Sequence, residues 1–125
     1  MKLDFTDKKP IYYQIADFIR NAILLGNYSE GEAIPSIRKL AVDYSINHHT
    51  ILKGIQILIQ EDLLEKERGK GMYVKIGAIQ RLKKRETEMF LQKDILNFIQ
   101  RAQTLKMSKS ELLEKINELY EDSNE

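Results

Sequence analysis

Residues 34–59, IPSIRKLAVDYSINHHTILKGIQILI, constrain the fold more than any other stretch, because they hold two helical patterns with almost no chain between them. Ser36 is placed to N-cap the first helix by accepting a bond from a backbone N–H that has no partner within the helix. Behind it Ile37, Leu40, Ala41 and Tyr44 recur at the three-and-four spacing of a helix with one buried side. Ser45-Ile46-Asn47 supplies a tight turn. Asn47 is a second cap, ahead of Ile51, Ile55, Leu58 and Ile59 on the inner face of a second helix. Two helices of this size bury little alone. Arranged as a helix-turn-helix, they present the first turn of the second helix to a DNA major groove.

The flanking segments complete a small core around that pair. Pro10 suits the first turn of a helix, where its missing N–H costs nothing, and Ile11, Ile15, Phe18, Ile19, Ala22 and Leu25 form a stripe that stops at Gly26. The loop from Gly26 to Glu32 then leads to Pro35. After the central pair, Leu63 to Ile76 reads as two short strand-like runs flanking Gly69-Lys70-Gly71, a hairpin tip in which glycine allows positive φ. A hairpin directly after a helix-turn-helix is the wing of a winged helix. Gly69-Lys70-Gly71 lacks the third glycine and the following helix of a nucleotide-phosphate cradle.

Charge matters here through its distribution. The 125 residues carry a net charge of only +1, yet Arg38, Lys39 and Lys53 face a single acid, Asp43, between Ser36 and Gln56. Lys66, Arg68, Lys70 and Lys75 face only Glu67 at the hairpin. Both stretches are locally basic, as a surface meeting a phosphate backbone should be. The residues expected to meet DNA are Arg38, Lys39, Asn47, His48, His49, Thr50 and Lys53, with Arg68, Gly69, Lys70 and Gly71 at the wing. Arg38 offers a planar fork to phosphate or a guanine edge, and His48, His49 and Thr50 occupy the first turn of the recognition helix.

Other chemistry finds little support. The chain has no cysteine, hence no disulfide and no thiolate ligand or nucleophile. Adjacent histidines on a helix point about 100° apart, so His48-His49 is a poor metal pair, and no metal or other cofactor is expected. Each of Ser36, Ser45, Ser108 and Ser110 has a capping or turn role, and no base attends any of them, so no enzyme is expected. The opening MKLDFTDKKP is charged where a signal peptide needs an apolar core, and no apolar run approaches about 20 residues, so a cytoplasmic protein that does not enter the membrane is expected.

The tail has a different pattern. Ile79 to Lys106 contains no proline or glycine and reads as one helix on the order of 40 Å long. Its apolar residues fall on two stripes, Ile79, Leu82, Met89, Phe90, Leu96 and Leu91, Ile95, Phe98, Ala102, Leu105, which implies contacts on two sides. Ser108 and Glu111 fit a capping box that starts a last helix faced by Leu112, Leu113, Ile116, Leu119 and Tyr120. Two helices cannot enclose that surface, so a second copy of the chain is the expected cover. Leu82, Met89, Leu91, Ile95, Leu96, Phe98, Leu112 and Ile116 are the expected dimer contacts.

The head also resembles a known family. Pro10-Ile-Tyr12-Tyr13-Gln14-Ile15, Gly26-x-Tyr28, Gly31-Glu32-x-Ile34-Pro35-Ser36-x-Arg38-x-Leu40-Ala41, Ile46-Asn47-x-x-Thr50-Ile51 and Gly69-Lys70-Gly71-Met72-Tyr73-Val74 stand in the order and spacing of the GntR family of bacterial winged-helix transcription regulators. The resemblance implies DNA contacts at Arg38, at Asn47 to Thr50 and at Gly69 to Gly71. His48 departs from the arginine or proline common in the family, which puts inherited base preference in doubt at that contact. The 48 residues from Ala78 onward are too few for the large ligand-sensing domain most members carry, and a two-helix tail resembles the YtrA-like subfamily. Its members are typically repressors, often of transport or cell-envelope stress operons.

The sequence therefore predicts a mainly α fold with a small β-hairpin: a winged helix-turn-helix head over 1–76, followed by a two-helix dimerisation tail over 77–125. The expected function is that of a homodimeric repressor of a transport or cell-envelope stress operon that includes its own gene, binding double-stranded DNA at a pseudo-palindromic operator. A small-molecule effector is left unnamed. The rival reading is a winged-helix adaptor that binds a partner protein, from which steep salt sensitivity would separate a DNA binder.

Overall fold

A computed structural model describes residues 9–69 and 71–123. Its helices are α1 (Ile11–Leu24), α2 (Ile37–Tyr44), α3 (His48–Gln60), α4 (Ala78–Met89), α5 (Ile95–Thr104) and α6 (Lys109–Ser123), with strands β1 (Leu64–Glu67) and β2 (Gly71–Val74) between α3 and α4. This is the mainly α winged-helix pattern expected. The chain divides into two compact units, one ending at Arg85 and one beginning at Glu86.

The first unit is built on α1, α2 and α3. Ile15, Ile19 and Ile23 of α1 meet Leu40 of α2 and Ile51, Ile55 and Leu58 of α3, with Leu63, Leu64 and Val74 closing the core from the hairpin. The caps lie where expected: Ser36 Oγ accepts from the Lys39 N–H at 3.0 Å, and Asn47 Oδ1 from the His49 N–H at 2.8 Å. Ser45 makes the turn in the left-handed region, φ 54°. Gly54 sits where α3 meets α1 so closely that a Cβ there would lie 2.9 Å from the Tyr12 carbonyl oxygen. Only glycine permits that approach.

β1 and β2 pair antiparallel with Leu64 opposite Val74 and Glu67 opposite Gly71. Positive φ at Gly69 and Gly71 lets the chain turn. The other edge of β2 is not bare. Ile34 N–H donates to the Met72 carbonyl, Gly31 N–H to that of Val74, and Val74 N–H to that of Glu32, so the loop before α2 forms a third, irregular edge.

The head also extends further than its sequence suggests. A boundary at residue 76 falls short of the compact unit by nine residues, because the first two turns of α4 belong to it. Ala78 and Leu82 are fully buried in the head core. Leu82, expected at the dimer interface, is instead a packing residue of the head. Glu30 caps α4, its carboxylate accepting from the Gly77 and Ile79 N–H groups at 2.9 Å each. These bonds hold the Glu30 carboxyl below its ordinary value.

The second unit is helical almost throughout. A π-helical turn over Phe90–Asp94 interrupts the long helix expected from Ile79 to Lys106. One extra residue in a turn rotates the helix beyond it by about 100°. That rotation brings Phe98, Ala102 and Leu105 toward the line of Met89 and Phe90 and carries Leu96 away from it, so the two stripes exchange members at the π turn and apolar side chains still stand on two sides. The capping box forms as expected: Glu111 N–H donates to Ser108 Oγ at 3.1 Å, and Ser108 N–H to the Glu111 carboxylate at 3.2 Å. Among the described residues of this unit only Ala102 is buried. No helix of the described residues is long and apolar enough to cross a membrane.

Candidate nucleic-acid interface

The outward face of α3 is polar from its first turn onward. Asn47, His48, His49, Lys53, Gln56 and Gln60 are exposed, while Thr50 is half-buried. The Asn47 cap fixes the start of the helix, and the His48 and His49 rings stand perpendicular with centroids 5.8 Å apart. His48 and His49 are exposed beside the positive end of the α3 dipole. Such an end receives an anion or a base edge.

The expected cations are distributed unequally around it. Arg38 is exposed on α2 and has no carboxylate partner among the described residues, leaving its fork available. Lys39 is exposed too, but its ammonium lies 3.2 Å from Asp43 one turn along, so part of its charge is neutralised within α2. The Lys53 ammonium sits 4.3 Å from the centre of the Tyr12 ring, a cation–π contact that holds it beside the N-terminal end of α1. Arg68, Gly69 and Gly71 are exposed at the wing. Lys70 lies outside the described residues.

Sequence reasoning missed the place where these elements meet. Ser36, Ile37 and Arg38 of the α2 start, Leu52, Gln56 and Ile59 of α3, and Lys66, Gly71 and Met72 of the hairpin line one groove of about 410 Å³. Its floor is apolar and its rim carries Arg38, Gln56 and Lys66, so helix-turn-helix and wing share one continuous surface. A signal for Lys66 was present. Counting by two along β1 from Leu64 puts Lys66 on the core-facing side, opposite Met72, at the point where the core runs out. Gln56 has no comparable signal, and Tyr12, although it stands in the motif around Pro10, reads as an ordinary helix residue until the packing of α1 on α3 brings it to Lys53.

The eight expected dimer contacts separate in the same way. Met89, Leu91, Leu96, Phe98 and Ile116 are exposed by 38% to 60%, and Ile95 and Leu112 are half-buried, all in the second unit. Leu82 alone belongs to the head core.

Comparison with known proteins agrees with this geometry. The model of "Bacterial regulatory proteins, gntR family" matches residues 11–74, from the first residue of α1 to the last of β2. An HTH-type transcriptional regulator of Bacillus subtilis, YhcF, is 30% identical over 93% of this chain and 94% of its own length. The HTH-type transcriptional repressor YtrA of the same organism is 32% identical over 62% of this chain and 60% of its own. Other curated relatives are far longer, and the chain spans only 28% and 14% of two of them. Among solved structures, a GntR family transcriptional regulator from Listeria monocytogenes superposes with a TM-score of 0.76 at 28% identity, covering 91% of this chain and 98% of that one. The DNA-binding domain of AraR in complex with operator ORX1 superposes with a TM-score of 0.55 at 26% identity, over 59% of this chain and 95% of that one. The chain belongs to the gntR family of bacterial regulatory proteins, as a YtrA-like winged-helix transcriptional regulator.

Proposed function

We propose that this regulator is a homodimeric repressor that acts in the cytoplasm on a pseudo-palindromic operator, with two copies of α3 in successive major grooves and two wings on the flanking backbone. The observation that carries the dimer is the second unit itself. Its described residues bury only Ala102, while Met89, Phe90, Leu91, Leu96, Phe98, Leu105 and Leu119 present apolar surface to solvent. A monomer rarely leaves so many large apolar side chains uncovered, and a two-fold axis covers them with the same residues of a second copy.

The DNA contacts derive from the head. Arg38 and Lys66 would take phosphates on either side of the groove, His48, His49 and Thr50 would approach base edges, and Lys53, held by Tyr12, would take a phosphate beyond them. Arg68 would take a phosphate at the wing, where Gly69 and Gly71 allow the two backbones a close approach. An operator bound this way overlaps the space polymerase needs. Repression is the outcome that the name of the YtrA relative also carries, and we place the operator upstream of the gene itself, in an operon of transport or cell-envelope stress genes.

A footprint on DNA from upstream of the gene tests this, paired with a promoter reporter in cells with and without the protein. Two protected segments about 10 base pairs apart are expected, with a reporter that rises when the protein is removed. A single protected segment contradicts the dimer, and a reporter that falls contradicts repression.

A further inference from the structure

The two acids after α3 gather cations from three other elements of the head. Glu61 is the C-cap of α3, and its carboxylate receives the Arg20 guanidinium of α1 as a fork, Nε and Nη2 each at 2.8 Å. The same carboxylate accepts Arg85 Nη2 of α4 at 3.3 Å. Asp62, held at φ 66°, pairs with Lys75 just after β2 and lies 3.7 Å from Arg81 Nε of α4. Arg81 also donates from Nη2 to the Asp62 carbonyl at 2.7 Å. One node thus joins the end of the recognition helix to α1, to the hairpin and to the helix by which the chain leaves the head.

Packing fixes only the first part of that exit. Ala78 and Leu82 are buried, but Met89, two turns after Leu82, is exposed. Between them Arg85 is the last residue of the compact unit, and what ties it to the head is its bond to Glu61. An ordinary surface ion pair contributes little to stability because solvent screens it. Here Glu61 is held in a forked pair by Arg20, whose side chain is only 15% exposed, so the acceptor offered to Arg85 is already fixed in place.

We propose that Glu61 and Arg85 are positioning residues for operator recognition: they tie the direction in which α4 leaves the head to the end of α3, and so select the spacing between half-sites. This rests on the dimeric, DNA-binding reading above. Each added base pair moves one half-site about 3.4 Å along the duplex and about 34° around it. A dimer with a loose exit helix accepts several spacings, whereas one with a pinned exit accepts few.

The test measures binding of the full chain to duplexes that carry the half-site selected from a random-sequence library. One series holds two inverted copies at spacings stepped by one base pair, and one duplex holds a single copy. The unmodified protein should prefer one spacing over its neighbours by about tenfold. Arg85→Gln should flatten that preference to about threefold or less with single-copy affinity unchanged. Arg85→Lys should keep most of it, and Lys84→Gln, which removes the same charge from an exposed neighbour, should keep all of it. An Arg85→Gln protein with the original spacing profile overturns the inference. So does one that loses single-copy affinity in equal measure, because the pair would then serve only the folding of the head. If the unmodified protein binds paired and single copies alike at every spacing, the dimeric reading itself fails and takes the inference with it.

Discussion

Replacing Gly54 with alanine sets two backbone effects of opposite sign against each other, and the structure says which wins. In the middle of α3 an exposed Gly→Ala change would favour the helix by about 1 kcal/mol, through lost freedom in the unfolded chain. Gly54 is buried, however, and a Cβ built on it lies 2.9 Å from the Tyr12 carbonyl oxygen, 3.0 Å from Ile15 Cγ2 and 3.2 Å from Ile15 Cβ. The nearest of these is backbone, so α1 as a whole must move away from α3. Overpacking of that kind costs about 1 to 3 kcal/mol, and a backbone obstacle puts it in the upper half of the range. The net expectation is a loss of about 1 to 2 kcal/mol. For a unit of this size each kcal/mol is worth about 4 to 8 °C, so the midpoint of thermal unfolding should fall by at least about 4 °C. Thermal melts monitored by circular dichroism, with urea titrations as a second measure, would show it. A variant that melts at the original temperature or above it would refute the close approach as the deciding effect and leave helix propensity in control.

Four further expectations address the interface and the tail. Arg38→Ala should weaken operator binding by about 1 to 3 kcal/mol in an anisotropy titration, and unchanged affinity would remove Arg38 from the interface. Lys53→Gln should lower the slope of log affinity against log salt by about 1, which an unaltered slope would contradict. Phe98→Asp or Leu96→Asp should convert a dimer into monomers in sedimentation velocity, because each puts a charge in place of an exposed apolar side chain proposed to be covered by the second copy. Glu30, whose carboxyl is lowered in the folded protein by the Gly77 and Ile79 N–H groups, favours the folded state fully above its ordinary value of 4.5. Its contribution fades as pH falls through the lower folded value. The stability advantage over Glu30→Gln should thus be constant above about pH 5.5 and shrink in acid. Asp62 titrates in the same direction in both proteins and drops out of the difference. An advantage that grows in acid would contradict the capping role.

The features legible in the sequence and those hidden from it divide by the range of the interaction. The caps at Ser36, Asn47 and Ser108 were readable because a side chain there bonds to backbone two or three residues on, within reach of any local pattern. The winged-helix order was readable from hydrophobic period and glycine placement for the same reason. Glu30 capping α4 across 47 residues, Glu61 gripping Arg20 across 41, and Tyr12 beneath Lys53 were not, since an exposed charge or a helix tyrosine looks alike with or without its distant partner. Leu82 reads as a dimer contact because it lies on a stripe with Met89 and Phe90, yet it is buried in the head core: a stripe gives the face of a helix without saying where along it one neighbour ends and another begins. The π turn at Phe90–Asp94 breaks the 3.6-residue period itself, and no breaker residue announces it.

Sequence-specific DNA binding by a dimer underlies every role proposed for the head and the tail. Anisotropy against DNA from upstream of the gene puts it to the test, with scrambled DNA of equal length and two salt concentrations in the same experiment. Tight binding to the upstream DNA is expected, with weaker binding to the scrambled DNA and a steep loss of both as salt rises, at a slope near 0.9 for each phosphate neutralised. Failure of the folded dimer to bind either duplex at low salt would contradict it.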